Sequence, residues 1–376
     1  MRPGNGRPPF AKLDFNQSPF LVIWEVTRAC DLACVHCRAE AQDQRDPREL
    51  TTEEGFALLD EIRRFGQPMF VFTGGDPLKR PDIFDFIAHA TQIGLHPSMS
   101  PSGTPLLNRE NLRKARQAGI STVSISIDAP TAETHDAFRC VAGSFDLSVR
   151  AARVVRDLGL RLQINTTITT YNMALLNDMA RLVTDLGAAR WEVFYLVPTG
   201  RGEALERAPA QQYEEVSNWL YDQTSKLDAH ITAVEASFYR RVVLERIAEE
   251  QGTTPLQVLA ESRSGNGRFL PGMNSGNGFV FISHIGEIYP SGFLPVVAGN
   301  VRRDSLVDVY RHHPLFLDLR NPDKLQGRCG RCEYRTICAG SRARAYGVTG
   351  NYLAEDPFCG YVPEVEPAMP APVPGA

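Results

Sequence analysis

Short runs rich in β-branched and aromatic residues alternate with stretches whose apolar residues recur at helical spacing. The strand-like runs number six: FLVIWEVT (20–27), MFVFTGG (69–75), HPSMSPSG (96–103), TVSISIDA (122–129), RLQINTTIT (161–169) and WEVFYLVPTG (191–200). The segments between them have the marks of helices. Residues 52–66 begin with acidic side chains and end with arginines, and residues 81–94 open on a proline.

A steady succession of strand, helix and strand predicts parallel pairing with right-handed crossovers. The fold class is therefore α/β, and six units favour a partial (β/α)6 TIM-like barrel, with a doubly wound sheet as the alternative. In either arrangement the functional loops lie at the carboxyl ends of the strands.

The composition of the chain limits the expected cellular location and the classes of binding partner. The chain has 376 residues, 43% of them hydrophobic, which is enough to bury a core without disulfides. It contains no run of eighteen apolar residues, and its N-terminus lacks the apolar core of a signal peptide, so we expect a cytoplasmic protein that binds no membrane. A net charge of −4 without a basic stripe gives no reason to expect nucleic acid, which leaves small molecules or proteins as partners.

The eight cysteines are the most informative residues, because clustered thiols in a reducing cytosol hold metal more often than they form disulfides. Cys140 stands alone, where it is either a hydrogen-atom donor near a cofactor or a small buried filler. The other seven fall into two groups: Cys30, Cys34 and Cys37, and then Cys329, Cys332, Cys338 and Cys359.

The first group lies in the loop after the first predicted strand, at the expected functional face. Its spacing, C-x3-C-x2-C, matches no common zinc framework, whereas closely spaced loop thiolates can wrap an iron-sulfur cluster. Three thiolates on a four-iron cluster leave one iron open. A zinc site completed by a distant histidine, or a chance spacing, is the alternative.

This motif resembles the hallmark of the radical S-adenosylmethionine superfamily, with His36 where the family places an aromatic residue. The resemblance implies a [4Fe-4S] cluster whose open iron site binds S-adenosylmethionine. Reductive cleavage of that cofactor then yields a 5'-deoxyadenosyl radical, which abstracts hydrogen from a substrate carbon. The implied role of the protein is positioning and exclusion of water, and no catalytic side chain is assigned.

Further segments, in strand order, resemble the cofactor-binding positions of the family. Residues 73–77 read TGGDP where the family has GGEP, and glycine there lets backbone approach the cofactor. The segment HDAFRC resembles the family's HDxxRG and makes Arg139 a candidate partner for the cofactor carboxylate. The resemblance covers residues 18–202 and implies these cofactor contacts: Gly74, Gly75, Asp76, Ser126, Asp128, Arg139, Asn165 and Val197.

The second cysteine group resembles a SPASM or twitch extension, which carries auxiliary clusters. The spacing C-x2-C-x5-C followed by Cys359 implies one auxiliary [4Fe-4S] cluster. Ser291 and Ser341 stand where the cysteines of a second, inner cluster are expected, so we predict that the inner cluster is absent. A zinc ribbon is the alternative for these four thiols.

These assignments divide the chain into five predicted parts. They are an N-terminal arm (1–17), the radical S-adenosylmethionine barrel (18–234), a helical linker with a mobile glycine-rich loop (235–278), the auxiliary-cluster domain (279–362) and a disordered tail (363–376).

The C-terminal segment resembles the branch of the family that remodels tetrapyrroles by removing propionate carboxyl groups or side chains. That resemblance predicts a tetrapyrrole substrate, with Arg268, Arg342 and Arg344 as candidate clamps for its carboxylates, and a reducing partner such as flavodoxin or ferredoxin. Maturation of a ribosomally made peptide, by crosslinking, epimerisation or decarboxylation, is the alternative reaction. A non-catalytic iron-sulfur electron carrier or sensor is the alternative of another class.

Overall fold

The computed structural model describes residues 14–261 and 272–363. Arg268, most of the predicted glycine-rich loop, the first thirteen residues of the predicted arm and nearly all of the predicted tail lie outside the described residues.

The described strands form one sheet of ten. The first six coincide with the six predicted runs, which confirms those predictions. The strands are β1 (Leu21–Glu25), β2 (Met69–Thr73), β3 (His96–Met99), β4 (Thr122–Ser126), β5 (Arg161–Ile168), β6 (Arg190–Tyr195), β7 (His230–Val234), β8 (Phe279–Ile282), β9 (Glu287–Tyr289) and β10 (Gly299–Asn300).

The order of the strands is β10-β9-β8-β1-β2-β3-β4-β5-β6-β7, so the sheet stays open between its two edges. Strands β1 to β8 pair in parallel, while β9 and β10 pair antiparallel. The prediction of an α/β partial barrel is thereby confirmed, and β7 and β8 extend the parallel set beyond six strands. Strand β8 lies in the segment predicted to begin the auxiliary-cluster domain, yet it pairs with β1 along Leu21–Trp24.

Helices cover the outer face of this sheet and build the C-terminal extension. They are α1 (Thr52–Arg63), α2 (Ile83–Gln92), α3 (Arg109–Ala118), α4 (Ala132–Arg139), α5 (Ser144–Asp157), α6 (Leu176–Asp185), α7 (Ala210–Gln223), α8 (Tyr239–Gln251), α9 (Pro255–Glu261), α10 (Leu306–His312), α11 (Pro314–Arg320), α12 (Gly327–Arg331) and α13 (Arg342–Thr349). Among the described residues, no helix has the length and apolar character needed to span a membrane.

A buried aromatic cluster fixes the strand that leads into the cysteine loop. Trp24 of β1 and Phe72 of β2 are inaccessible to solvent, and the ring of Trp24 lies 5.0 Å from that of Phe86 in α2. Helix α1 approaches this cluster through Gly55, where a Cβ would come within 2.4 Å of the Phe86 ring. The loop after β1 therefore starts from a densely packed interior strand of the sheet.

Candidate functional site

Three cysteines meet at the carboxyl ends of the parallel strands. Cys30, Cys34 and Cys37 line one cavity of about 210 Å³, here called the front cavity. Backbone hydrogen bonds hold the loop that carries them, because Cys30 donates its N–H to Gln42 (2.6 Å) and Val35 donates to Phe138 (3.1 Å). The motif thus lies where the sequence predicted, in the loop after the first strand; its function stays a prediction.

Gly74 and Gly75 bring a second loop against the cysteine loop. A backbone hydrogen bond joins the two loops, since the Gly75 N–H donates to the Thr27 carbonyl at 2.8 Å. A Cβ at Gly74 would lie 2.5 Å from the Thr27 oxygen, and one at Gly75 would lie 2.5 Å from the Ala29 oxygen. Only glycine permits this approach, and both residues line the front cavity.

Asp76 lies behind the cavity wall. It is fully buried and accepts hydrogen bonds from the Thr104 hydroxyl (2.7 Å) and the Leu78 N–H (3.1 Å). Burial raises the pKa of Asp76 to about 6, although these bonds oppose the rise. The backbone N–H of Ser102 also donates to Asp76, at 3.5 Å, and the Ser102 hydroxyl lies 3.3 Å from the Cys30 sulfur. Asp76 therefore helps to position the cavity wall around that thiol.

Asp128 and Arg139 form a buried ion pair beside Cys34. The Nε of Arg139 donates to Asp128 at 2.7 Å, and its Nη1 lies 3.5 Å from the Cys34 sulfur. Burial alone would raise the pKa of Asp128, but the charge of Arg139, together with the nearby histidines and the Thr167 N–H, outweighs burial and lowers that pKa. Arg139 lines the front cavity, whereas Asp128 stands behind it and directs the guanidinium.

A stack of rings closes the cavity on the side of His36. The His36 ring lies 4.4 Å from the Phe138 ring at an interplanar angle of 14°, and Tyr171 stacks on the far face of Phe138. Burial lowers the pKa of His36 to about 4, so the ring is neutral at neutral pH. Its Nδ1 is buried and has no hydrogen-bond partner within the described residues, next to the front cavity.

The remaining candidate contacts lie at the ends of adjacent strands. Ser126 and Asn165 face each other across β4 and β5, and Val197 follows β6. All three line the front cavity. The structure thus brings six of the eight predicted cofactor residues to one cavity and places Asp76 and Asp128 in its supporting wall.

The other four cysteines meet in the C-terminal extension. Cys329, Cys332, Cys338 and Cys359 line a separate, small cavity of about 30 Å³, here called the rear cavity. Two of the sulfurs accept backbone N–H groups, from Asp356 to Cys329 (3.3 Å) and from Gly340 to Cys338 (3.4 Å). Such N–H donors stabilise the negative charge of metal-bound thiolates.

No three His, Cys, Asp or Glu side chains in the described part of the chain converge closely enough to hold a single metal ion. Thiols around an iron-sulfur cluster, unlike thiols around one zinc ion, do not have to converge on a point.

The two serines at the expected inner-cluster positions share one carboxyl group. Glu235 is bonded by the Ser341 hydroxyl (2.5 Å) and lies 3.5 Å from the Ser291 hydroxyl. Burial raises the pKa of Glu235, whose backbone has a positive φ of 55°. A polar bridge therefore connects the end of β7 to the extension at this place. The absence of an inner cluster stays a prediction.

The structure corrects two sequence predictions. Arg342 and Arg344 are fully buried, and their guanidinium groups bond the Ala354 carbonyl (2.6 Å) and Asp356 (2.6 Å) respectively, so their proposed role as substrate clamps is wrong. Cys140 is exposed at the left-handed C-cap of α4, so the prediction of a buried filler is also wrong.

A larger pocket adjoins the front cavity and was not foreseen. It has a volume of about 490 Å³ and shares Arg38 and Phe293 with the front cavity. We call it the side pocket, and the residues that characterise it are Arg28, Arg38, Phe281, Tyr289, Phe293 and Tyr346. Its two arginines flank the cysteine motif, immediately after Cys37 and two residues before Cys30, and that position was the signal available in the sequence.

Comparison with known proteins agrees with this geometry. The model of the family described as "Radical SAM superfamily" matches residues 24–183. The AdoMet-dependent heme synthase of Oleidesulfovibrio alaskensis is 43% identical over 93% of this chain and 89% of its own length. That of Methanosarcina barkeri is 38% identical over 92% of this chain and 97% of its own.

Among solved structures, Streptococcus suis SuiB bound to S-adenosylmethionine superposes with a TM-score of 0.69 at 13% identity, over 92% of this chain and 78% of SuiB. At this identity the likeness shows the fold, a partial barrel followed by a C-terminal extension.

The chain belongs to the radical SAM superfamily. It is a radical SAM enzyme, which implies a [4Fe-4S] cluster and S-adenosylmethionine as cofactors, and it is similar along nearly its whole length to AdoMet-dependent heme synthases. This overturns the alternative of a non-catalytic carrier or sensor. The cytoplasmic location stays a prediction.

Proposed function

We propose that this enzyme forms haem, the product named in its relatives, and that it does so by oxidative decarboxylation of propionate side chains on an iron tetrapyrrole. The observation that carries the proposal is 43% identity to an AdoMet-dependent heme synthase over 93% of the chain. This similarity favours the tetrapyrrole prediction over peptide maturation. The side pocket, with two arginines and several aromatic rings beside the front cavity, has the chemistry that a flat, carboxylated macrocycle requires.

The front cavity fits the cluster and cofactor of this superfamily. Cys30, Cys34 and Cys37 would bind three irons of a four-iron cluster, leaving the fourth to S-adenosylmethionine. The cradle formed by Gly74 and Gly75 and the unpartnered Nδ1 of His36 leave backbone and one buried polar atom facing a bound group. When bound, the two groups together supply a radical able to abstract a substrate hydrogen. The surrounding chain excludes water from it.

The rear cavity fits an auxiliary [4Fe-4S] cluster with four protein ligands, Cys329, Cys332, Cys338 and Cys359. Backbone donors to two of these sulfurs support cluster binding. Helix α13 begins at Arg342, directly after its N-cap Ser341 near this cavity, and its last turns adjoin the side pocket, where Tyr346 and Gly347 line the wall. We assign the rear cluster to electron transfer between the substrate and a redox partner such as flavodoxin or ferredoxin.

The proposed reaction converts a propionate side chain into a vinyl group and releases CO2. One C–H bond of the propionate breaks, and its hydrogen atom goes to the 5'-deoxyadenosyl group. The bond to the carboxyl carbon then breaks, releasing CO2, while a C=C bond forms and leaves a vinyl group. One electron leaves the substrate, and Cys329, Cys332, Cys338 and Cys359 would hold the cluster that accepts it and passes it to the redox partner.

The test is product analysis under anaerobic conditions. The reconstituted enzyme, with dithionite, S-adenosylmethionine and iron coproporphyrin III, should yield vinyl-bearing porphyrin and a stoichiometric amount of 5'-deoxyadenosine by mass spectrometry. A Cys34→Ala variant is the control that should form neither. Formation of 5'-deoxyadenosine with no change in the porphyrin would contradict the proposed function.

A further inference from the structure

The side pocket is the cavity best placed to receive a substrate. It adjoins the front cavity, since Arg38 and Phe293 line both, and Arg38 directly follows a cysteine of the front motif. Its walls come from the end of β1, from β8 and β9, and from α13. A molecule bound in it can therefore extend one side group toward the front cavity while the rest remains outside.

Arg38 is fixed as part of the wall. Its Nη2 bonds the buried carboxylate of Glu25 at 2.7 Å, and its Nη1 donates to the Gly292 carbonyl at 3.2 Å. Its guanidinium also stacks over the Phe281 ring at 4.7 Å. These contacts use the terminal nitrogens of Arg38 within the protein, which leaves little capacity for a ligand.

Arg28 differs from Arg38 in this respect. Only its Nε is engaged, by Glu25 at 3.2 Å, and no described residue accepts a hydrogen bond from either Nη atom. The side chain is 34% exposed and lines the side pocket. Two terminal nitrogens thus face a pocket with the geometry that binds a carboxylate at two points.

Glu25 holds this guanidinium without neutralising it. The single carboxylate is inaccessible to solvent and is shared by Arg28, Arg38 and His284, whose Nδ1 lies 3.1 Å away. The single negative charge of Glu25 is therefore shared between two arginines, which leaves a net positive charge on this cluster. Two other carboxylates line the side pocket, Glu40 and Glu203, and they disfavour a substrate carboxylate elsewhere in it.

We infer that Arg28 is a specificity-determining residue that binds a retained carboxylate of the substrate through its two Nη atoms, with Glu25 as its positioning residue. This inference rests on the proposed function, because the carboxylate is that of a tetrapyrrole propionate. Binding of this carboxylate fixes the orientation of the macrocycle in the side pocket, so that a different propionate extends toward the front cavity. The aromatic walls, Phe281, Phe293 and Tyr346, contact the macrocycle itself.

The test measures binding and cofactor cleavage separately. Iron coproporphyrin III is titrated against the cluster-loaded enzyme, the Arg28→Gln and Arg28→Lys variants, and Arg45→Gln. Arg45 is the matched control, because its Nε also bonds a buried glutamate, Glu49 at 2.7 Å, but it lies outside the side pocket. Loss of a charged, two-point hydrogen bond should weaken binding by Arg28→Gln roughly tenfold to 100-fold. Arg28→Lys should lose less, and Arg45→Gln nothing.

A second ligand makes the test independent of variant folding. The tetramethyl ester of iron coproporphyrin lacks carboxylates, so the wild-type enzyme should bind it more weakly than the acid, whereas Arg28→Gln should discriminate less between the two. The slow release of 5'-deoxyadenosine without substrate should be equal in all variants, which shows that the front cavity is intact.

The outcomes separate the two proposals. Equal binding of acid and ester by the wild type, or unchanged binding by Arg28→Gln, overturns the inference about Arg28 and leaves the proposed function standing. If the wild type binds neither porphyrin yet cleaves S-adenosylmethionine, the proposed function fails and the inference fails with it.

Discussion

The front and rear cavities are both lined by a group of cysteines, yet they differ in the number of thiols, in volume and in their other lining residues. The front cavity has three thiols, a wall that includes Gly74 and Gly75, and a boundary with the side pocket formed by Arg38 and Phe293. The rear cavity has four thiols and about 30 Å³ of space, and the arginines near it are paired internally, as Arg344 is with Asp356. A site with one thiol fewer and an open side can bind and change a ligand. The rear cavity offers four thiols, enough to ligate every iron of a four-iron cluster, so the role we propose for it is electron transfer.

The same contrast holds for arginine. Arg344, near the rear cavity, is wholly buried against one carboxylate, whereas Arg28, near the front cavity, retains two terminal nitrogens without a partner among the described residues. Proximity to a cysteine motif does not by itself predict what an arginine binds. What separates these two arginines is access: Arg344 is buried, including an Nη1 atom without a partner among the described residues, whereas the unpartnered Nη atoms of Arg28 belong to a side chain that lines a pocket.

The largest expected effect comes from removing one front thiol. Cys34→Ala should abolish formation of 5'-deoxyadenosine, because S-adenosylmethionine is cleaved only at a reduced cluster. Iron should fall from about eight to about four atoms per chain. Iron analysis and chromatography measure both quantities. The matched variant Cys140→Ala, which changes an exposed cysteine outside the cavity, should alter neither quantity. Formation of 5'-deoxyadenosine by Cys34→Ala would contradict the distinction between the front and rear cavities.

Removing a rear thiol should separate two activities. Cys338→Ala should also lose about four irons per chain, yet the front cavity should still release 5'-deoxyadenosine. Porphyrin product should fall far more than cofactor cleavage, since the substrate electron has no acceptor. A zinc content of one per chain in the wild type, with full product formation by this variant, would contradict the assignment of the rear cavity.

The buried ion pair of the extension offers a test of stability. Asp356→Ala leaves the Arg344 charge buried without its partner, which should lower the free energy of unfolding by about 3–5 kcal/mol. The exposed pair of Arg109 and Asp157 is the control, and Asp157→Ala should cost below about 1 kcal/mol. Urea titrations of both variants check the difference, and equal losses would show that Arg344 is not held as described.

Glu25 should make the stability of the front region depend on pH. Burial alone would raise its pKa, but the charges of Arg38 and Arg28 and the hydrogen bond of His284 hold it at about 2, below the ordinary 4.5. A lowered carboxyl pKa adds stability that is complete above the unfolded value and is lost as pH falls toward 2. The size of the shift corresponds to about 3 kcal/mol.

The measurement is the difference in unfolding free energy between wild type and Glu25→Gln from pH 6 to pH 3. The wild type should be the more stable at pH 6, and the difference should shrink below pH 4.5 as the native carboxylate loses its advantage. A difference that does not vary with pH would mean that Glu25 is not held ionised by its two arginines.

Local patterns were enough to predict much of this arrangement. Cys30, Cys34 and Cys37 carry their spacing in eight residues, and the strands that present Gly74, Ser126 and Asn165 have strong β-branched runs, so both could be read from the chain. Because the predicted strands are parallel, the sequence also predicted that the functional loops lie together at the carboxyl ends of the strands.

What could not be predicted depends on contacts between distant segments. Strand β8 is four residues long and gains its place by pairing with β1, more than 250 residues earlier. The burial of Arg342 and Arg344 depends on how the chain folds back at Asp356. The position of Arg28 beside the cysteine motif was a weak signal, because the role we propose for it depends on Glu25 and on a pocket wall supplied by β8 and α13.

The most direct test of the account follows one hydrogen atom. Iron coproporphyrin III deuterated in its propionate chains is converted by the enzyme, and the 5'-deoxyadenosine is analysed by mass spectrometry. Because the front cavity and the side pocket adjoin, we predict that deuterium moves from the propionate to 5'-deoxyadenosine, one atom for each vinyl group formed. Vinyl product accompanied by undeuterated 5'-deoxyadenosine would contradict the account.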